Sequence, residues 1–427
     1  MPGMPWTQEQ VIAAAPDAAS VTAGRKLASP GPWSGTGAND ALLWGSCQGS
    51  GKKPYQVSID LTGPAFRCSC PSRKFPCKHA IALLLLWSAG AIGDGEVSEF
   101  ASSWADERAT RAQKPTRAAT PVDPEAQAAR RAERVATMDA GAAEFTRWLS
   151  DLVRAGVADA LRRPQAWWET AASRLVDAQL PGLAERVRDT GADVVVGLDA
   201  ADLLERIGVW WMLVRAWDRR ADLTTAESAD LHAALGWPTP TAEVRAGVVE
   251  SRVWTVVGAH RDEKGRLAQQ RTWLRDDDGR YRMLLETAGP GQSLGVPQLA
   301  GARLRADLAV YPGAEPCRGL FVGDPEPVGS GVSLGPGTTL DAALADAAAA
   351  LAATPWRDRH PVTLADVRFG DGHVVDPRGS SLALVDDTPS TMLAAVSGGR
   401  ADLAFGEIDG GRLRVLTIDV DGRVVPL

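Results

Sequence analysis

Three cysteines and one histidine fall within twelve residues, in the spacing Cys68-x-Cys70-x6-Cys77-x-His79, and an almost purely hydrocarbon run, AIALLLLW, follows at once. Residues i and i+2 of a strand share a face, so Cys68 and Cys70 can aim both sulfurs the same way. Pro71 and Pro76 bracket the six residues that turn the chain. Cys77 and His79 then stand at the start of a helix, whose dipole favours a thiolate there. Four protein ligands complete a tetrahedron and leave no position for water, which points to structural Zn2+ rather than catalytic Zn2+. So small a unit has little core of its own, and metal binding worth roughly 10–16 kcal/mol would decide whether it folds. The helix is expected to start near Cys77 or His79 and stop at Gly90. It is apolar nearly all round, so it has to be covered on more than one side. Trp6, Trp33, Leu42, Leu43 and Trp44 are the expected cover.

Competing readings of these residues are weaker. A Cys68–Cys70 disulfide would close a strained loop. The chain start, MPGMPWTQEQ, lacks the basic head and apolar stretch of a secretory signal, so a cytoplasmic location is expected. A reducing cytoplasm disfavours disulfides. Cys47 and Cys317 stand apart from the group, and four ligands leave Cys47 no role at the metal. The stretch GSCQGSGKK is not a phosphate loop: Ser46 stands where glycine is needed and Lys53 where a hydroxyl is needed. It reads instead as a hairpin turn.

The order Cys-x-Cys then Cys-x-His, set between two strands and a helix, resembles the SWIM-type zinc finger. The words LWGSCQGSG, PY, DL and CSCPSRKFPCKH look like the stand-alone bacterial SWIM proteins, over residues 40–90. The resemblance implies zinc at Cys68, Cys70, Cys77 and His79 and a binding role toward DNA or protein. It also implies work beside an AAA-type ATPase and a von Willebrand A-domain protein.

A length of 427 residues argues for about three domains. The expected class is α+β multidomain: an N-terminal zinc-stabilised ββα unit, a helical middle and a β-rich C-terminal part. The boundaries read 1–104 for the finger domain, 105–124 for a polar linker, 125–238 for the helical domain and 239–427 for a β-rich α+β region. That last region divides into two units if the Gly- and Pro-rich stretch 323–338 is a linker. Tyr55, Val57 and Ile59 alternate with polar residues as in a half-buried strand. A helix from Pro124 or Glu125 toward Ala155 has a candidate break at Gly141. Hairpin turns are expected at Glu263-Lys264-Gly265 and Asp277-Asp278-Gly279. The pairs Trp167-Trp168 and Trp210-Trp211 point about 100° apart on their helices, so both members are core only in a deeply buried helix. Core packing is the expected role of both pairs, and an exposed member would be a natural binding hot spot.

Charge separates the partner classes. Residues 1–90 carry eight basic and four acidic side chains, a net +4 against −11 for the rest. An acidic bulk repels a phosphate backbone, so any DNA contact belongs near the metal motif. There Arg73, Lys74, Phe75 and Lys78 set cations around an aromatic, the pattern that grips phosphate and stacks on a base. No apolar run approaches the ~20 residues of a spanning helix. His232, His260, His360 and His373 show neither metal nor triad spacing, and no nucleophile–base–acid set can be assembled. The expected function is a non-enzymatic protein–protein adaptor with structural zinc, the alternative a DNA-binding protein using the basic finger loop.

Overall fold

A computed structural model describes residues 6, 8–15, 18–49, 51, 53–61, 65–72, 76–113, 124–264, 267–289, 294–295, 298–329 and 333–427. Arg73, Lys74 and Phe75 lie outside the described residues, as do Ser50, Lys52, Gly265, residues 114–123 of the expected linker and 330–332 of the Gly-rich stretch.

The N-terminal unit comprises α1 (Gln8–Ala13), α2 (Ala18–Arg25), β1 (Trp33–Ala38), β2 (Leu42–Cys47), β3 (Tyr55–Asp60), β4 (Ala65–Cys68), α3 (Lys78–Ser88) and α4 (Glu99–Gln113). The four strands form an antiparallel meander in chain order. Helix α3 is buried from His79 through Leu86, because the sheet covers one side and α1 and α2 cover the other. Gly24 permits that fit: a Cβ there would meet the Ile81 side chain at 2.7 Å. Of the expected cover, Trp6, Leu43 and Trp33 share the cluster around α3. Leu42 and Trp44 instead pack against Ala101, Phe100 and Trp104 of α4. The expected linker from residue 105 is therefore corrected, since α4 runs on to Gln113. Its Ala, Glu and Arg residues are good helix formers, and polarity alone does not signal a loop.

The middle is helical: α5 (Pro124–Ala155), α6 (Val157–Ala160), α7 (Gln165–Asp177), α8 (Pro181–Val196), α9 (Ala200–Asp218), α10 (Thr225–Ala234) and α11 (Thr241–Ala246). The long helices α5, α7, α8 and α9 share one core that includes Phe145, Trp168 and Trp210. Asp199 caps α9 by accepting from Ala201 and Asp202, and a Thr224–Glu227 capping box starts α10. Helix α5 is continuous through Gly141, against the expected break. Gly141 serves a close approach instead, because a Cβ there would fall 2.2 Å from that of Ala178.

The C-terminal part holds β5 (Val249–Lys264), β6 (Leu267–Asp276), β7 (Tyr281–Ala288), β8 (Arg303–Val310), β9 (Arg318–Phe321), β10 (Glu326–Gly329), α12 (Leu340–Ala353), β11 (Arg359–Gly370), β12 (His373–Val375), β13 (Ser381–Ala383), α13 (Ser390–Ser397), β14 (Arg400–Asp409), β15 (Arg412–Val420) and β16 (Arg423–Pro426). Strands β5-β6-β7-β9-β8 close on themselves, with β7–β9 parallel and β8 paired back to β5. This is the order of a five-stranded Greek-key barrel of the OB type. Its inside is filled by Trp254, Val256, Leu274, Leu284, Leu304 and Leu308. The second sheet runs β13-β12-β11-β14-β15-β16. It lies on the outer face of the barrel, where Val257 and Trp273 meet Phe405 and Leu416. A bulge beside Gly258 admits Phe405 at 2.8 Å from where a Cβ would stand.

One buried ion pair ties these two layers. Glu407 is fully buried and accepts from Arg271 at 2.9 and 3.2 Å and from Trp273 Nε1 at 2.7 Å. Burial alone would raise the Glu407 carboxyl, but Arg271, Trp273 and Arg359 outweigh it and hold it below its usual range. Removing one partner of such a pair costs about 3–5 kcal/mol. The helical middle joins the layers through Arg186, which donates to Asp358 at 2.7 Å and to the Trp356 carbonyl at 3.1 Å.

Gly141→Ala is expected to destabilise the helical middle by about 1–3 kcal/mol despite its better helix propensity, because the added methyl forces α5 away from α7. Denaturant unfolding of the purified chain reads this, and a neutral or stabilising result would contradict the close approach. The second expected outcome concerns pH. Burial, aided by Arg271 and Arg414, pushes the His260 imidazole down to about 4, against Glu407 and Asp262. The folded chain therefore resists a proton that the unfolded chain accepts below about pH 6.5, and stability falls as pH drops from there toward the folded value. Between about pH 7 and about pH 5, wild type should lose more melting temperature than His260→Gln. Equal losses would assign the slope to other groups.

Candidate metal centre

Strand pairing sets up the first two ligands. Cys68 ends β4 opposite Val57, and Ser69 locks the turn beyond it: its N–H donates to the Gln56 carbonyl, and its Oγ accepts from the Gln56 N–H. Cys70 follows one residue later. Cys77 is the extended N-cap residue of α3, so the last two ligands come from that helix start. Across the centre the Tyr55 ring lies 4.8 Å from the His79 ring, tilted by 34°.

The structure brings Cys68, Cys70, Cys77 and His79 together, with one ligand atom of each within 4.8 Å of the others. Cys68 Sγ lies 3.8 Å from His79 Nδ1. A tetrahedron of metal–sulfur bonds of ~2.3 Å has edges of about 3.8 Å, so the spacing fits one metal ion. The thiol chemistry agrees. Cys68 donates to the Cys77 sulfur, and this raises Cys68 and lowers Cys77 to about 4. His79 and the Ala80 N–H at the start of α3 also favour the Cys77 thiolate. Burial raises Cys70. Three sulfurs this close share protons until a cation replaces them.

Cys47 lies outside the group: it is fully buried, its thiol is raised by burial, and its Sγ is directed to the Gln48 carbonyl at 3.9 Å. Of the basic-loop candidates, Lys78 is the one within the described residues, exposed on the first turn of α3. Arg67, the neighbouring cation on β4, pairs with Glu107 of α4 at 3.1 Å. The scattered histidines join no ligand group among the described residues. Nor is any described helix long and apolar enough to cross a membrane.

Of the tryptophan pairs, Trp168 and Trp210 are buried, while Trp211 is 42% exposed. Trp211 shares one face of α9 with Leu204, two turns away and likewise exposed, and the exposed Met212 points about 100° to the side. The sequence marked both pairs without telling inside from outside. The signal that could have done so is the 3.6-residue period, which puts Leu203, Ile207, Trp210 and Val214 on the buried stripe.

Comparison with known families agrees with this geometry. A model described as SWIM zinc finger matches residues 55–87, which span β3, β4 and α3. One described as SWIM-associated four-helix bundle domain matches residues 133–235, the bundle of α5 and α7 to α9 with α10. No curated protein and no solved structure matches the chain.

Cys77→Ser is expected to abolish metal retention and dissolve the fixed packing around α3, while residues 133–235 stay helical. Cys47→Ser should keep its metal. Metal content per chain with near- and far-ultraviolet circular dichroism reads both, and metal retained by Cys77→Ser would remove that residue from the ligand set.

Proposed function

Because the chain is a SWIM-type zinc-finger protein, we propose that it is a non-enzymatic adaptor that holds a structural zinc ion and binds partner proteins. Zinc is the metal that three sulfurs and one imidazole nitrogen in a closed tetrahedron suit best. With four protein ligands it has no place for a substrate or water. It fixes the turn that launches α3, and α3 is spent inside the unit, so the metal is scaffold.

The observation that carries the adaptor reading is the exposed pair Leu204 and Trp211, two turns apart on one face of α9. Tryptophan is the residue most enriched at binding hot spots, and this one stands on a rigid helix. Two further observations favour protein over nucleic acid. The Arg67–Glu107 pair interrupts positive charge beside the finger. The outer face of β6 and β7, where barrels of this order bind oligonucleotides, is covered by the second sheet. The partner classes that the family resemblance implies, an AAA-type ATPase and a von Willebrand A-domain protein, are the ones to test first. The chain acts beside them in the cytoplasm in this reading.

The test titrates metal-loaded protein with both purified partners and with duplex and single-stranded DNA across a salt series. Trp211→Ser should weaken partner binding by roughly tenfold or more, at unchanged metal content. DNA affinity that falls steeply with salt and is weakened by Lys74→Glu would replace the adaptor reading with the DNA-binding one.

A further inference from the structure

A second site lies far from the metal in the chain, where α12 and β11 part from the barrel. The cleft there has a volume of about 550 Å3, within the range of small-molecule sites. Its floor holds Arg275, the next outward residue after Arg271 and Trp273 on β6. Arg275 is nine-tenths buried, yet no carboxylate pairs with it among the described residues. Its Nη1 donates to the Leu334 carbonyl at 2.9 Å, its Nε has no partner among them, and no bond to them is made by Nη2. The other buried arginines of this region contrast with it: Arg271 pairs with Glu407 and Asp262, and Arg282 pairs with Glu250. Buried charges in proteins are ordinarily paired.

The surroundings are built around this guanidinium. It lies over the Tyr281 ring at 5.4 Å. Gly335, at φ +89, makes room for it, because a Cβ there would overlap Nη1. Beside it the Tyr281 hydroxyl lies 2.7 Å from Thr363 Oγ1. On the same wall His360 carries a buried Nδ1 with no partner among the described residues. Arg357 adds a second guanidinium, held by the Glu315 carbonyl and paired with no described carboxylate. The lining carboxylates, Glu315 and Asp346, are exposed, so negative charge sits outside and unpaired positive charge inside. Val362, Ala343 and Ala350 supply apolar wall.

We propose that this cleft binds a small organic oxyanion, a carboxylate or a phosphate monoester, whose charged head pairs with Arg275 and whose body lies against the Tyr281 ring and the alanines of α12. The volume exceeds that of a bare ion, which is why an organic body is part of the proposal. Such a ligand would bridge the barrel and the second sheet, and so couple its own concentration to the rigidity of the C-terminal part.

The experiment uses the full metal-loaded chain with 15N-labelled arginine and follows the Nε–Hε signal of Arg275 during titration. Phenyl phosphate and phenylacetate are the probes, the same apolar body carrying the two heads, with inorganic phosphate as the bare ion. A saturable shift with one phenyl probe, stronger than with inorganic phosphate, is the expected result, and the more effective head names the ligand class. Arg275→Met, followed by calorimetry, should weaken that binding roughly tenfold or more, the usual loss for a charge-assisted hydrogen bond. Ala349→Glu sets a carboxylate on the exposed α12 side of the cleft and should weaken it several-fold at unchanged metal content and melting temperature. No saturable shift with either phenyl probe overturns the proposal, and so does equal affinity in folded Arg275→Met. Should Arg275→Met not fold, unchanged affinity in Ala349→Glu overturns it.

Discussion

Closure of one metal sphere by Cys68, Cys70, Cys77 and His79 is the constraint on which the N-terminal unit depends. The strand β4 and the helix α3 meet with Phe66 and Cys68 packed against the α3 core and with the two ligand pairs at their facing ends. Ligation fixes the angle between strand and helix. Once fixed, it points the apolar run Ala80–Leu86 into the space between the meander and α1–α2, where burial of Ile81, Leu83 and Leu84 adds hydrophobic stabilisation. Metal and core are therefore one cooperative device rather than two.

The C-terminal part solves a different problem. A barrel and a sheet pack face to face, and the packed face carries charge as well as hydrocarbon. Glu407 is tolerated at full burial because Arg271 and Trp273 fill its acceptor positions, and Arg271 is tolerated because Glu407 and Asp262 neutralise it. Arg275, beyond Trp273 on the same strand face, shares the burial with no carboxylate partner among the described residues. Arg271 meets Glu407 of the opposite layer and Asp262 of its own barrel, and Arg275 pairs with no described carboxylate, which turns one position into a tie between layers and the other into the floor of a cleft.

The sequence was most legible where chemistry leaves few alternatives. Ligand spacing, the start of α3 at Cys77 and a strand over Tyr55–Asp60 follow from local rules, and the described structure has them, although Ser58, expected on the polar side, is buried. Local rules misled at Gly141 and at residues 105–113. Glycine lowers helix propensity, but the close contact with Ala178 makes it the residue that fits. Polar composition was read as linker, but α4 is recruited by Trp44 and Leu42 across the sheet. Neither contact has a trace within a few residues of the position concerned.

By itself the sequence determined the ligand set, the need to bury α3, and the succession of finger, helices and strands, because each rests on spacing and periodicity along the chain. Tertiary structure alone decided that β5 to β9 close into a barrel and that its outer face is covered. It alone put Trp210 inside and Trp211 outside, and left Arg275 without a carboxylate. These outcomes depend on residues far apart in sequence, such as Trp273 with Glu407 and Tyr281 with Thr363. Such pairings are fixed by how layers stack, and a local pattern does not encode them.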